Sequence, residues 1–209
     1  MASRDLRLYI DYKSPYAYLA KDPAYDLERE FGVEFTWLPY VLNIPDFLGT
    51  VEGRNPHQWR RVRYSYMDAR RLANRRGLTV KGPQKIFDSS LVAIAMLYTQ
   101  RRGSFRRFND LAFERFWKRE LDIEDRQAVA AVIGESGAPV DAFADFADGE
   151  GRRELERVCR EAEDELGVFG VPSFVIDGEL YWGGDRLWMV RERLAKGAGR
   201  GRFDHGGDK

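Results

Sequence analysis

Ser14 is the residue whose position offers the most specific chemistry, because it directly precedes Pro15 at the predicted start of a helix. Serine is favoured as a helix N-cap, and proline is favoured at the first helical position. The unpaired backbone N–H groups and the positive dipole end of such a helix favour an anion. A hydroxyl placed there can also donate a hydrogen bond to a thiolate, which lowers the pKa of the thiol. Ser14 is therefore either a helix cap or a thiolate-binding group, and the local motif alone favours the cap.

A second stretch, near the other end of the chain, predicts a loop, a β-hairpin and the start of a helix. Asp177-Gly178 is the strongest two-residue hairpin signal, and it separates two β-rich runs at 173–176 and 179–182. Pro172 stands at the entry of the first strand, where a missing N–H is tolerated, and it resembles the cis-proline loop of thioredoxin-like proteins. The glycines of Gly183-Gly184-Asp185 end the second strand, and the aspartate is placed to cap the following helix.

The elements that must position these two stretches predict an α/β fold. Residues 6–12, 15–31 and 33–39 are patterned as a strand, a helix and a strand, an order that requires a right-handed crossover and parallel strand pairing. Residues 42–166 show helical patterns and little strand pattern. A β-α-β unit and a β-β-α unit combine into one four-stranded sheet with helices on its faces, and the helical block between them then forms one wall of a cleft.

This order predicts how the chain is divided. We expect the first half of an α/β domain at 1–41, a helical insertion at 42–166, the second half of the domain at 167–196, and a glycine-rich flexible tail at 197–209. Helices are expected in the insertion at about 55–77, 91–103, 105–119, 124–134, 140–147 and 150–166. The last helix is expected over 185–196.

The composition argues against several functional classes. The 209 residues include 34 basic and 34 acidic side chains, a balance that argues against a dedicated nucleic-acid-binding protein. The single cysteine, Cys159, excludes an intrachain disulfide and a Cys-x-x-Cys redox pair, so a reducing cytoplasm is the expected compartment. His57 and His205 are too few and too far apart for a metal site. No signal-peptide pattern and no membrane-spanning apolar run are seen, so we expect no membrane association.

Three segments together resemble the 2-hydroxychromene-2-carboxylate isomerase and kappa-class glutathione transferase family, a DsbA-related branch of the thioredoxin-fold proteins. They are the strand-Ser-Pro-aromatic-helix start at 11–20, the run of Asn, a basic residue, Tyr and Asp at 55–68, and the pair of segments at 168–172 and 182–187. The third is the most specific, and the Trp-Gly-x-Asp-Arg ending resembles the isomerase branch more closely than the kappa branch. The resemblance covers nearly the whole chain except the tail.

The resemblance implies a thioredoxin-like, DsbA-like fold with glutathione as the cofactor. Ser14 would take the place of the nucleophilic cysteine of related redox proteins and would hold the glutathione sulfur. The main chain at Val171 would pair with the glutathione backbone like an added strand. The remaining residues that the resemblance places against glutathione are Pro15, Tyr16, Asn55, Arg61, Pro172, Gly184 and Asp185.

Two of these assignments have a simpler structural alternative, and two positions depart from the family pattern. Asn55 can equally be the N-cap of the first insertion helix. Arg61 could clamp a carboxylate, but it lies in an arginine-rich run that is typical of a solvated helix face. Lys13 occupies a position where a small or apolar residue is expected, and Arg61 stands where lysine is common.

The function implied by the resemblance is a glutathione-dependent cis–trans isomerase that acts on small aromatic carboxylates of aromatic catabolism. The thiolate would add to a conjugated double bond, the resulting single bond would rotate, and the thiolate would be expelled, so glutathione would be regenerated. Two alternatives stay open. One is a kappa-like glutathione transferase or peroxidase, and the other is a non-catalytic thioredoxin-fold binding protein that has lost its cysteines. Such relatives are usually homodimers, so a homodimer is possible.

Overall fold

The sheet that organises the molecule has four strands, and their order confirms the predicted α/β architecture. A computed structural model describes residues 4–199 of the chain. Its strands are β1 (Leu6–Ile10), β2 (Thr36–Pro39), β3 (Ser173–Ile176) and β4 (Glu179–Trp182), in the spatial order β2-β1-β3-β4. Strands β1 and β2 are parallel, and the pairs β1–β3 and β3–β4 are antiparallel. The two halves of the sheet therefore come from the two ends of the sequence.

The helices follow the predicted order, with one addition. They are α1 (Pro15–Phe31), α2 (Ile44–Leu48), α3 (Pro56–Asn74), α4 (Ser90–Gln100), α5 (Phe105–Lys118), α6 (Arg126–Glu135), α7 (Phe143–Asp148), α8 (Glu150–Asp164) and α9 (Leu187–Gly199). Helix α2 was not predicted, because a single five-residue turn carries too few apolar positions to show a helical period. None of the helices in the described part of the chain is long and apolar enough to cross a membrane.

Helix α1 has the ends that its sequence predicts. Ser14 is its N-cap, and Pro15 occupies the first turn. The helix ends at Gly32, whose φ of 61° lies in the left-handed region that favours glycine at this position. The backbone N–H of Gly32 bonds to the carbonyl oxygen of Glu28. The start of α1, and with it the position of the Ser14 hydroxyl, is therefore set by local sequence.

Strands β1 and β2 are shorter than predicted, and a side-chain carboxylate binds backbone N–H groups beside each of them. Strand β1 ends at Ile10, since the Asp11 carboxylate accepts hydrogen bonds from the backbone N–H of Lys13 at 3.1 Å and of Leu42 at 2.8 Å and turns the chain. Strand β2 begins only at Thr36. The preceding N–H, that of Phe35, bonds instead to the Glu28 carboxylate at 2.9 Å.

Two predictions at the C-terminal side are wrong. Asp185 is not a helix N-cap, because Gly183-Gly184 leads into a short 3-10 turn, Gly184–Arg186, and Asp185 lies inside that turn and pairs with Arg186. Helix α9 continues to Gly199, past the predicted end at residue 196, so the first residues of the predicted tail are helical. The rest of that tail, 200–209, lies outside the described residues.

The hydrophobic core runs without a break from the sheet into the helical block. The ring of Tyr12, just after β1, lies 4.6 Å from that of Phe113 on α5, measured between centroids. The ring of Trp37 on β2 lies 5.7 Å from that of Phe105. These contacts fix the helical block against the sheet, so the helices can form rigid walls around the start of α1. The division of the chain at residues 41 and 166 stays a prediction.

Candidate functional site

The start of α1 and the loop before β3 meet at Ser14, although 157 positions separate Ser14 from Val171. The Ser14 hydroxyl oxygen accepts the backbone N–H of Ala17 at 3.2 Å, which completes the N-cap. The same hydroxyl donates to the carbonyl oxygen of Val171 at 3.4 Å. The Val171–Pro172 peptide bond is cis. Because 3.4 Å is long for an O–H···O hydrogen bond, the Ser14 proton is weakly held and can turn to a better acceptor.

Five of the predicted binding residues line one cleft of about 630 Å³, which we call the Pro172 cleft. They are Tyr16, Val171, Pro172, Gly184 and Asp185. Ser14 and Pro15 do not line it, but they lie immediately before Tyr16 at the start of α1. The structure therefore brings together the two stretches that the sequence singled out.

The opposite wall of the Pro172 cleft is the C-terminal part of α3, whose arginine-rich run was predicted to be a solvated face. Asp68, Leu72, Arg75 and Arg76 line the cleft from this side. The Tyr16 hydroxyl donates to the Asp68 carboxylate at 2.9 Å and ties α1 to α3 across the cleft. Burial and the Asp68 carboxylate raise the pKa of Tyr16 well above its ordinary value, so this phenol stays a neutral donor.

A second cleft of about 370 Å³ lies on the other side of α3, and we call it the Lys13 cleft. Lys13 lines it beside one face of α3, and the loop 82–87 and Arg54 complete its walls. The residues of α3 that line it are Trp59, Val62, Arg63, Tyr66 and Arg70. No site role was predicted for these residues, although the apolar ones recur at helical spacing in the sequence.

Helix α3 is the shared wall of the two clefts. Successive helical residues are rotated by about 100° around the axis, so positions 59, 62, 63, 66 and 70 fall on one face and 68 and 72 on the opposite face. The first set lines the Lys13 cleft, and the second lines the Pro172 cleft. Lys13 and Tyr16 lie on either side of Ser14 in the sequence, so the two clefts approach each other at the Ser14 turn.

Asn55 and Arg61 line neither cleft. The Asn55 side chain accepts the backbone N–H of Gln58 at 2.9 Å, and the Gln58 side chain accepts the backbone N–H of Asn55 at 2.9 Å. This reciprocal pair is a capping box, so the N-cap alternative for Asn55 is the arrangement observed. Arg61 is exposed, and its carbonyl oxygen accepts the hydroxyl of Ser65 at 3.0 Å. Roles for these two residues in binding stay predictions.

Lys13, where the family pattern predicts a small or apolar residue, has a structural partner. Its ammonium lies 3.6 Å from the Asp11 carboxylate, and both side chains are largely buried, with exposed fractions of 8% and 1%. Burial raises the pKa of Asp11, and the Lys13 ammonium opposes that shift. The pair therefore brings a cation to the wall of the Lys13 cleft, directly before Ser14.

Metal and cysteine chemistry find no support in the described part of the chain. No group of His, Cys, Asp and Glu side chains there could hold a metal ion. Cys159 lies on α8, half-buried, with its sulfur 3.9 Å from the carbonyl oxygen of Pro39. Burial raises the pKa of the Cys159 thiol, which disfavours the reactive thiolate.

Comparison with known proteins places the chain among thioredoxin-fold proteins. The family model described as "DSBA-like thioredoxin domain" matches residues 5–195. A 2-hydroxychromene-2-carboxylate isomerase from Sphingobium xenophagum is 26% identical over 195 residues, which cover 92% of this chain and 98% of that protein. A protein of the same name from Pseudomonas putida is 24% identical over 190 residues, which cover 90% of this chain and 93% of the relative.

Solved structures show the same fold. A structure of 2-hydroxychromene-2-carboxylate isomerase superimposes with a TM-score of 0.77 at 21% identity, covering 96% of this chain and 99% of that one. A probable DsbA oxidoreductase from Streptomyces coelicolor gives a TM-score of 0.78 at 16% identity, covering 99% of this chain and 93% of that one. The thioredoxin-like, DsbA-like fold predicted from the sequence is thereby confirmed.

Proposed function

This chain belongs to the family of DSBA-like thioredoxin domains, and we propose that it is a glutathione-dependent cis–trans isomerase of small aromatic carboxylates. The observation that carries the proposal is the Ser14 hydroxyl, which stands at the N-terminus of α1 within hydrogen-bond reach of the Val171 carbonyl oxygen, beside an open cleft. The curated relatives named 2-hydroxychromene-2-carboxylate isomerase, similar over about nine-tenths of the chain, support the reaction type.

The Pro172 cleft fits a thiol peptide such as glutathione. Within the described residues, the backbone N–H and carbonyl groups of Val171 make no hydrogen bond to other backbone groups, and Val171 lines the cleft. Its carbonyl oxygen accepts the 3.4 Å bond from the Ser14 hydroxyl, and main-chain groups that bond to no neighbouring strand suit pairing with an extended peptide. Arg75 and Arg76 can attract the peptide carboxylates, and the exposed carboxylate of Asp185 can accept the γ-glutamyl ammonium.

The chemistry of the site depends on the N-terminus of α1, which carries Ser14, and on α3, which lines both clefts. Bound glutathione would supply a thiolate that adds reversibly to a conjugated double bond, so that the carbon–carbon bond can rotate. Ser14 redirects its proton from Val171 to the sulfur and, together with the dipole of α1, favours the thiolate. The Lys13 cleft, on the other side of Ser14, holds the substrate. Ser14 itself is not the nucleophile.

A disulfide oxidoreductase function is disfavoured although a structural relative is named a probable DsbA oxidoreductase. The only cysteine of the chain lies on α8, outside the two clefts, and cannot form a redox pair. The open volume of the Pro172 cleft favours a ligand-binding site over an occluded one.

The proposal is tested by the conversion of 2-hydroxychromene-2-carboxylate, followed by ultraviolet absorbance and product chromatography. We expect a rate that saturates with added glutathione and no net consumption of the thiol. Consumption of one glutathione per product would indicate a transferase. The absence of any acceleration by the protein with glutathione or with other low-molecular-weight thiols would contradict the proposed isomerase.

A further inference from the structure

We propose that the Lys13 cleft selects aromatic acids with two anionic groups. This inference rests on the proposed function, because it names the substrate class of that site. Among the residues that the structure describes, five cationic ones line the cleft and no aspartate or glutamate does. They are Lys13, Arg54, Arg63, Arg70 and Lys85.

The aromatic character of the ligand follows from the remaining walls. Trp59 and Tyr66 come from α3, and Phe87 comes from the loop on the opposite side. The ring of Trp59 already stacks against the Arg54 guanidinium, whose central carbon lies 5.0 Å from the ring centroid. A cleft lined by aromatic side chains suits a planar ring, which stacks on their faces or edges.

The number of anionic groups follows from how the cations are neutralised. Lys13 pairs with Asp11, and Lys85 pairs with Glu124. Arg63 and Arg70 form no ion pair with a carboxylate in the described part of the chain, and the Arg70 side chain donates only to the carbonyl oxygen of Tyr66, at 3.0 Å. Two cations on the lining face therefore have no counter-charge within the described part of the chain.

The two arginines also have a defined spacing. Arg63 and Arg70 are seven residues apart on one face of α3, so their backbone positions are separated by about 10 Å along the helix axis. Both are exposed, whereas Lys13 is largely buried. A ligand that places one carboxylate near Lys13 and Ser14 can thus direct a second carboxylate towards the arginine face.

The test compares two probes that differ by one carboxylate, trans-cinnamate and 4-carboxycinnamate, by isothermal titration calorimetry at low ionic strength and without glutathione. We expect the wild-type protein to bind the dicarboxylate roughly fivefold more tightly or better. The difference shrinks in concentrated salt, because screening weakens interactions with exposed cations.

Two double variants identify the residues that cause the preference for the dicarboxylate. The double variant Arg63→Gln, Arg70→Gln is expected to bind both probes with affinities within about twofold of each other. The control Arg60→Gln, Arg71→Gln removes two charges from exposed positions of the same helix that line neither cleft, and it keeps the preference.

Equal affinity of the wild-type protein for the two probes, failure to bind either, or loss of the preference in the control would overturn the inference. These outcomes are distinguishable from failure of the proposed function. An active isomerase that binds both acids equally would refute only the dianion selectivity. A protein that prefers the dicarboxylate but does not isomerise would support the selectivity and contradict the proposed reaction.

Discussion

The Tyr16 hydroxyl donates a 2.9 Å hydrogen bond to the carboxylate of Asp68, and this contact joins the first turn of α1 to the C-terminal part of α3. Both residues line the Pro172 cleft. The contact therefore ties the two helices together across the cleft, while Ser14, two residues before Tyr16, places its hydroxyl beside the cleft. The tie between the helices and the role of the hydroxyl can be tested separately.

Tyr16→Phe is expected to weaken glutathione binding several-fold without changing the fraction of bound glutathione that is ionised. The substitution removes a hydrogen bond to a charged acceptor, at a cost of about 1.5–3 kcal/mol in stability, and it leaves Ser14 in place. Calorimetry gives the affinity, and denaturant titration gives the stability.

The control for this variant is Tyr40→Phe, because the Tyr40 hydroxyl makes an equivalent 2.8 Å bond to Glu163, outside both clefts. A similar loss of stability is expected there, with unchanged glutathione affinity. If both variants weakened glutathione binding equally, the effect would be one of stability and not of cleft geometry.

Asn55→Ala is expected to lower the free energy of unfolding by about 1 kcal/mol, because it removes the N-cap of α3. Asn55→Asp should restore most of that stability, since aspartate caps as well as asparagine. Neither variant is expected to change glutathione affinity by more than about twofold, because Asn55 lines neither cleft. Weakened binding in the aspartate variant, which keeps the cap and loses the amide, would show that the amide contacts glutathione.

Alkaline pH is expected to destabilise the protein steeply. Burial raises the pKa of Tyr18 from 10.0 to about 12 and raises the pKa of Tyr12 well above 10.0. The folded state therefore favours neutral phenols. This stability is fully present below pH 10 and is lost as the pH rises towards 12, because the unfolded chain ionises first. Denaturation midpoints and tyrosinate absorbance measured over this range test the expectation.

Tyr12→Phe provides the variant for that series. The Tyr12 hydroxyl is buried and has no hydrogen-bond partner in the described part of the chain, so its removal should leave stability at neutral pH unchanged or higher. The substitution should also make the loss of stability at alkaline pH less steep. Tyr64→Phe, at a residue that is 57% exposed, serves as the control and should follow the wild-type curve. An identical alkaline curve for Tyr12→Phe would contradict the role given to its burial.

Local signals were enough to predict the parts of the fold that local physics decides. The cap at Ser14 and the stop at Gly32 set the limits of α1, and Asp177-Gly178 set the hairpin. The late start of β2 depends instead on a partner in another element. Strand β2 starts late because Phe35 donates to the side chain of Glu28, and no local pattern around Phe35 records that bond.

One part of the candidate site was likewise predicted from local sequence, and the other part was not. The Pro172 cleft was predicted in outline because its residues belong to two recognisable stretches at the ends of the sheet. The Lys13 cleft was missed because its lining is the cationic and aromatic face of α3 opposed by the loop 82–87. An arginine-rich helix face has the same sequence pattern whether it faces solvent or lines a cleft. Only the packing of α3 between the two clefts distinguishes the two cases.

Ser14→Ala tests the central claim that the Ser14 hydroxyl stabilises a bound thiolate. The variant also removes a cap, which costs about 0.5–2 kcal/mol. Asp125→Ala is the matched control, because Asp125 caps α6 through the backbone N–H groups of Gln127 and Ala128 and lines neither cleft.

The decisive measurement is a pH titration of the ultraviolet thiolate absorbance of glutathione at saturating protein, in wild type, Ser14→Ala and Asp125→Ala. We expect the pKa of the bound thiol to lie below that of free glutathione in wild type and in Asp125→Ala. In Ser14→Ala it should rise by roughly one unit or more. Equal thiolate fractions in wild type and Ser14→Ala across the titration would contradict the role of Ser14, and with it the proposed mechanism.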